Sequence, residues 1–220
     1  MISRLLAVAA LAAAPGLARA QDSFALSYGI NFTTNYIDDG ATQSDDKPAV
    51  QGYVEGSYGM FYAGVWSSTV DFGESGDEFD DDRFEFDLSV GIRPTFGDLW
   101  LDLNYTRYIY DDSGNCCGDI ILIAGYPVAD FIEVTGEVDW DPEQTTTWTQ
   151  AGAGVTFGDV WLVGGNVGTD FGTEEWGERD KVAFDFGVSR GLGDIGTVDL
   201  RYHDSNYDPG RVVLSIGADF

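Results

Sequence analysis

Residues 83–96 read RFEFDLSVGIRPTF. Phe84, Phe86, Leu88, Val90, Ile92, Pro94 and Phe96 alternate with Arg83, Glu85, Asp87, Ser89, Gly91, Arg93 and Thr95. Side chains of a strand point alternately to opposite faces, so this stretch has one greasy face and one charged face. At fourteen residues it is long for a strand of a soluble domain and suits a tilted membrane crossing with some overhang. Residues 23–36, SFALSYGINFTTNY, repeat the pattern with Phe24, Leu26, Tyr28, Ile30, Phe32 and Tyr36 on one parity.

The chain holds twelve such segments, at 23–36, 48–58, 60–72, 83–96, 99–110, 119–128, 131–140, 147–157, 160–171, 181–192, 197–204 and 211–220. In the sixth, Ile120 to Ile123 are apolar on both parities, so its phase is open. Gly59, Gly97-Asp98, Ala129-Asp130, Gly158-Asp159 and Gly193 to Gly196 read as tight turns. The other connections read as longer polar loops: 37–47, 73–82, 111–118, 141–146, 172–180 and 205–210. An even strand number, with short turns on one side and long loops on the other, predicts an all-β fold: an antiparallel up-and-down transmembrane barrel of about 12 strands. Both termini then lie on the short-turn, periplasmic side.

Aromatic placement separates this from a soluble sandwich, which shares the alternation but not two aromatic belts on one face. The outward parity puts Tyr36, Phe72, Phe84, Trp140 and Phe171 at the long-loop end. Tyr62, Phe96, Phe157, Trp161 and Phe220 fall at the short-turn end. Outward-parity Arg107 and Arg190 fall toward opposite strand ends, where long side chains reach headgroups. The final RVVLSIGADF ends on Phe220, an amphipathic last strand similar to the assembly signal read by the outer-membrane barrel assembly machinery.

Composition bounds the function. The chain has 220 residues, 38 Asp+Glu against 11 Lys+Arg, and a formal charge of -27. That excludes a nucleic-acid surface, because phosphates require Lys and Arg. One His and one adjacent Cys pair cannot build a zinc site. Neither a metal site nor a cofactor is expected. With 44% apolar and 14% aromatic residues, the chain is no acidic disordered tail.

The first twenty residues read as an address. Arg4 precedes the apolar run LLAVAALAAA, then Pro15-Gly16 and Ala18-Arg19-Ala20. This predicts a cleaved signal peptide over 1–20 and a mature barrel over 21–220, exported to the bacterial outer membrane. The run is too short to span a bilayer.

TNYIDDGATQSDDKPAVQG at 34–52, FYAGVWSSTVDF at 61–72, GVSRGLGDIGTVDLRYHDS at 187–205 and the closing RVVLSIGADF resemble the TorF-type porin family of proteobacterial outer-membrane β-barrels. The resemblance implies a porin. Members of that family carry an aromatic-Arg pair after the TNY-I stretch. This chain has Asp38-Asp39 there, so a positive mouth residue would be exchanged for two negative ones.

Twelve tilted strands give a backbone diameter of roughly 24 Å, with at most about 12 Å left between side chains. The inward parity carries the charges. Its acids are Glu55, Asp71, Glu85, Asp87, Asp102, Glu133, Glu137, Asp139, Asp170, Asp185, Asp199 and Asp219. Its bases are Arg83, Arg93, Lys181, Arg201 and Arg211. A narrow passage lined by one sign of charge concentrates the opposite ion. These residues are the predicted pore lining of a weakly cation-selective channel for passive diffusion of ions and small solutes. Inward Tyr53, Trp100 or Tyr108 would obstruct it. The alternative is a closed structural or adhesive barrel acting through its acidic loops. The expected partners are outer-membrane lipid and lipopolysaccharide, the assembly machinery, and small solutes or cations; no nucleic acid is among them.

Three lone features carry less. Glu74, Asp77, Glu78, Asp80, Asp81 and Asp82 crowd one loop without calcium-loop spacing, so a solvated acidic loop is the ordinary reading. Cys116-Cys117 sits in a predicted loop in an oxidising compartment. A bond between sequence neighbours is strained, and a free thiol pair or an intermolecular link is also open. His203, Asp204 and Ser205 are neighbours on one strand end and point to different faces, which argues against a hydrolytic triad and against an enzyme.

Overall fold

The computed structural model describes residues 23–73, 79–158, 160–171, 181–193 and 195–220. Residues 1–22, which include the segment predicted as a signal peptide, residues 74–78 of the predicted acidic loop, residue 159, residues 172–180 and residue 194 lie outside them. The strands are β1 (Phe24–Thr33), β2 (Ile37–Asp38), β3 (Ala41–Thr42), β4 (Ala49–Tyr58), β5 (Phe61–Thr69), β6 (Phe84–Ile92), β7 (Thr95–Phe96) and β8 (Leu99–Tyr110). They continue with β9 (Gly114–Ala129), β10 (Ile132–Asp141), β11 (Thr146–Phe157), β12 (Trp161–Phe171), β13 (Val182–Gly191), β14 (Thr197–Ser205) and β15 (Arg211–Asp219).

Every pairing is antiparallel and the ring closes. β1 pairs with β4 on one side and β15 on the other, and β6 pairs with β8. The circuit holds twelve staves: β1, β4 to β6, and β8 to β15. At the seam the backbone of Phe220 donates to and accepts from Tyr28, at 2.8 and 3.1 Å, so the sheet leaves no unpaired edge. β7 continues β6 in the same register against β8, Ile92 opposite Leu103 and Thr95 opposite Trp100. The break falls at Pro94, which has no N–H to donate.

Burial is inverted relative to a water-soluble protein. Phe24, Ile30, Phe86, Val90, Phe186, Val212 and Ile216 are exposed on the outer wall, Val212 at 66%. The largest fully buried side chains are Asp82, Asp199, Ser68 and Ser189. Large outer apolar surface around a polar interior suits hydrocarbon outside and water inside.

Several expectations change. The predicted loop over 111–118 is mostly strand. β9 begins at Gly114 and runs sixteen residues, and only a tight turn separates it from β8. Asp82 holds that turn, accepting from the Asp112 and Ser113 backbones and the Ser113 hydroxyl. The open phase of this strand resolves with Ile120 and Leu122 outward and Ile123 buried inside. Cys116 and Cys117 are joined by a disulfide, beside a register shift where Cys117 faces Tyr108 and Asn115 faces Ile109. The bulge gives the extra residue its place.

The belts also need correction. Phe84, Trp140, Phe171, Phe96, Phe157 and Phe220 are exposed outward as expected. Tyr62 faces inward, 7% exposed, donating to Asp102 at 2.6 Å. β5 presents Phe61 and Val65 outward instead, because aromatics occupy both of its parities. Tyr36 leaves the wall after β1 ends and meets Trp66 edge-on, ring centroids 5.5 Å apart. Phe72 packs on Phe79 and Tyr110.

Candidate functional site: an acidic lumen

The first loop is not a free extracellular loop. After Tyr36 it turns into the barrel as the hairpin β2–β3, with Ile37 opposite Thr42 and Asp38 opposite Ala41. Asp39 and Gly40 have φ of 45° and 76°, the two positive values of a tight hairpin turn, which Asp-Gly adopts readily. The tip reaches the far wall. A Cβ on Gly40 would collide with Ala183 and stand 3.1 Å from Ser205 Cβ, and the Ser205 hydroxyl donates to the Gly40 carbonyl at 2.9 Å. The Thr42 N–H donates to Asp208 at 3.0 Å. At the base, Asn35 donates to Asp46 and accepts from Thr42 and Ser44. Asp46 also pairs with Arg211. The Asp39-Gly40 dipeptide was the available sequence sign of this hairpin.

Beside the hairpin the barrel encloses a cavity of about 430 Å³. Of the predicted lining residues, Glu55, Glu85, Asp87, Arg93, Asp102, Glu137, Asp139, Asp185 and Asp199 border it. The others lie around it. Arg201 is embedded in the wall. Glu133 accepts from the Trp100 indole at 3.2 Å. Asp71 pairs with Lys47 at 2.7 Å, and Arg211 with Asp208 at 2.9 Å. Arg83 donates to the backbone carbonyls of Asp80 and Asp82. Asp170 accepts from the Lys181 backbone, and the Lys181 ammonium rests 5.2 Å from the centre of the Trp148 ring.

The arginines are spent on their own neighbours. Arg93 clamps Glu55 with two bonds of 2.6 and 2.9 Å and Asp102 with a third of 2.7 Å, over the Tyr62 ring. Arg201 sits between Asp185 and Asp199, and Asp199 also accepts from Ser189. Charge-assisted forks of this kind fix a wall in place.

The remaining wall is acidic and lacks such partners. Glu85, Asp87, Asp119, Glu137 and Asp139 project from β6, β9 and β10 toward Asp38 and Asp39 of the hairpin. None of these seven is in an ion pair among the described residues. Glu85 accepts from the Tyr110 hydroxyl at 3.1 Å through one oxygen. Its second oxygen, and one each on Asp87 and Asp139, are buried without a hydrogen-bond partner among the described residues. Tyr36, Trp66, Tyr108 and Trp148 line the same chamber. Asp38, Asp39 and Asp119 were not among the predicted lining. The first two belonged to a segment read as loop, the third to the strand of open phase. His203 borders the cavity, while Ser205 is bonded to Gly40 and Asp204 accepts from Tyr202, so no triad forms among them.

The Gcw_chp family, described as a bacterial protein of unknown function, matches residues 17–211. The chain belongs to the Gcw_chp family. That description carries no activity, and the TorF-type resemblance is not what this match names. No curated protein sequence matches it. Among solved structures the Gcw_chp chain is similar to the KdgM porin, with a TM-score of 0.64, 9% identity, 88% of this chain and 98% of that one. The KdgM porin in complex with disordered oligogalacturonate gives 0.61 at 8% identity, covering 89% and 97%. An outer-membrane channel from Pseudomonas putida F1 gives 0.55 at 11%, covering 94% and 99%. At such identities the likeness is one of fold: this Gcw_chp chain is a porin-like β-barrel.

Proposed function

We propose that this Gcw_chp barrel is an outer-membrane channel for passive diffusion of ions and small solutes, weakly selective for cations. The observation that carries this reading is the asymmetry of the lumen. Arg93 and Arg201 are occupied by carboxylates, whereas Glu85, Asp87, Asp119, Glu137 and Asp139 on β6, β9 and β10 are in no ion pair among the described residues. Net negative charge in a narrow passage raises the local concentration of cations. The porin-like fold and the apolar outer wall support an outer-membrane location; lipid and lipopolysaccharide are its proposed surroundings and Phe220 its proposed assembly signal. The resemblance to TorF-type porins fits the same reading. No catalytic constellation is part of it.

The test is a planar-bilayer recording of the purified protein in a KCl gradient. Discrete conductance steps with a reversal potential displaced toward potassium are expected. A silent protein, or one that prefers chloride, would reject the proposal. A silent barrel whose cell-surface binding falls on shortening the acidic loops would instead fit the closed adhesive alternative.

A further inference from the structure

We propose that the acidic half of the lumen is a binding site for linear organic polyamines. The inference rests on the channel reading and names the class of cation that the channel would hold. Carboxylates alone would be only a solvated wall. Here Glu85 is 4% exposed, borders the cavity, and keeps one oxygen with no donor among the described residues. Asp87 and Asp139 each keep a buried oxygen in the same condition. A buried acceptor without a donor is costly, and a cationic N–H would satisfy it.

Two observations select the ligand chemistry. First, no three His, Cys, Asp or Glu among the described residues converge closely enough to hold a metal ion. A compact hard cation gathers its oxygen ligands around one point, whereas these charges are spread over three strands and the facing hairpin. Separated carboxylates suit a ligand with separated ammonium groups. Second, aromatic rings line the chamber, those of Trp66, Tyr108 and Trp148 among them. Aromatic faces accept methylene chains and attract ammonium groups. The chain already shows the arrangement once. Lys181 lays its own ammonium over Trp148 at 5.2 Å, with Asp38 and Asp39 in its electrostatic neighbourhood. A polyamine would repeat that station along the wall toward Glu85.

The experiment uses spermine on the full mature chain, with Mg²⁺ as the compact-cation control. Two readouts are taken: single-channel current in a planar bilayer, and calorimetric binding to the detergent-solubilised barrel. Spermine is expected to block current at a concentration at least tenfold below that of Mg²⁺. The variant E85Q/D87N/D139N should raise that concentration at least tenfold. Folding of each variant is checked by its heat-dependent shift on a denaturing gel. Should the triple variant fail that check, Asp139→Asn alone is expected to weaken block at least threefold. Conductance without preferential spermine block would overturn the polyamine site and leave the channel standing. Binding that the variant abolishes, in a barrel that never conducts, would uphold the site and overturn the channel. Absence of both would overturn both.

Discussion

At the scale of single residues, the lumen separates charges that build the wall from charges left available. Arg201 is the clearest builder, at 3% side-chain exposure between Asp199 at 2% and Asp185 at 10%. Removing one partner of a buried charged set strands the others. Arg201→Met should therefore lower the stability of the folded barrel by about 3 kcal/mol, read as an earlier urea midpoint by tryptophan fluorescence in detergent. Lys47→Ala removes only two rim pairs of an exposed ammonium, with Asp45 and Asp71, and should leave that midpoint unchanged. The Asp46–Arg211 pair makes a pH prediction. The hydrogen bond from Arg211 holds the Asp46 carboxyl below the usual carboxylate range. A carboxylate with a lowered folded-state value lends stability that is present above the ordinary value and is lost as pH falls through the lowered one. The base of the inward hairpin should thus stay anchored at pH 5 and loosen below the ordinary Asp range. In recordings, open-channel noise should rise at pH 3 but not at pH 5, and Arg211→Gln should show that noise at both.

At the scale of elements, the β2–β3 hairpin decides how much of the barrel is open. Its turn needs positive φ at Asp39 and Gly40, and its tip has no room for a side chain against Ala183. Gly40→Val is disfavoured by both conformation and space, so the tip should leave the far wall and conductance should increase by about twofold or more, on the premise that a channel conducts in proportion to its open section. A conductance equal to that of the unmodified protein would mean that the hairpin does not limit the passage. The seam is the second deciding element. Phe220 stacks on Tyr28 with ring centroids 5.4 Å apart and bonds to it through both backbone groups. Phe220→Ala should reduce the fraction of heat-shifting barrel recovered from outer membranes while the folded fraction keeps its midpoint, since assembly and not equilibrium packing is what this residue is proposed to serve. The twelve staves were legible from period-two alternation. The inward hairpin was not, because four strand residues around an Asp-Gly turn are too few for alternation to register.

At the scale of the whole molecule, the protein is a closed cylinder turned inside out, with apolar side chains outside and buried carboxylates within. The folded barrel should migrate differently from the boiled chain on a denaturing gel, and unchanged mobility would contradict closure. By itself the sequence determined the strand number and the antiparallel up-and-down order, because both follow from local alternation and turn chemistry. Where aromatics stood on both parities, as at Phe61 and Tyr62, local pattern was silent and only the register with Ile92 and Gly91 set the phase. Which carboxylates stay unpartnered was likewise decided by tertiary structure alone. Arg93 reaches Glu55 across 38 positions of sequence, and the β2–β3 turn carries Gly40 to the far wall. Pairing depends on which side chains the closed ring brings face to face, and no one-dimensional pattern records that distance.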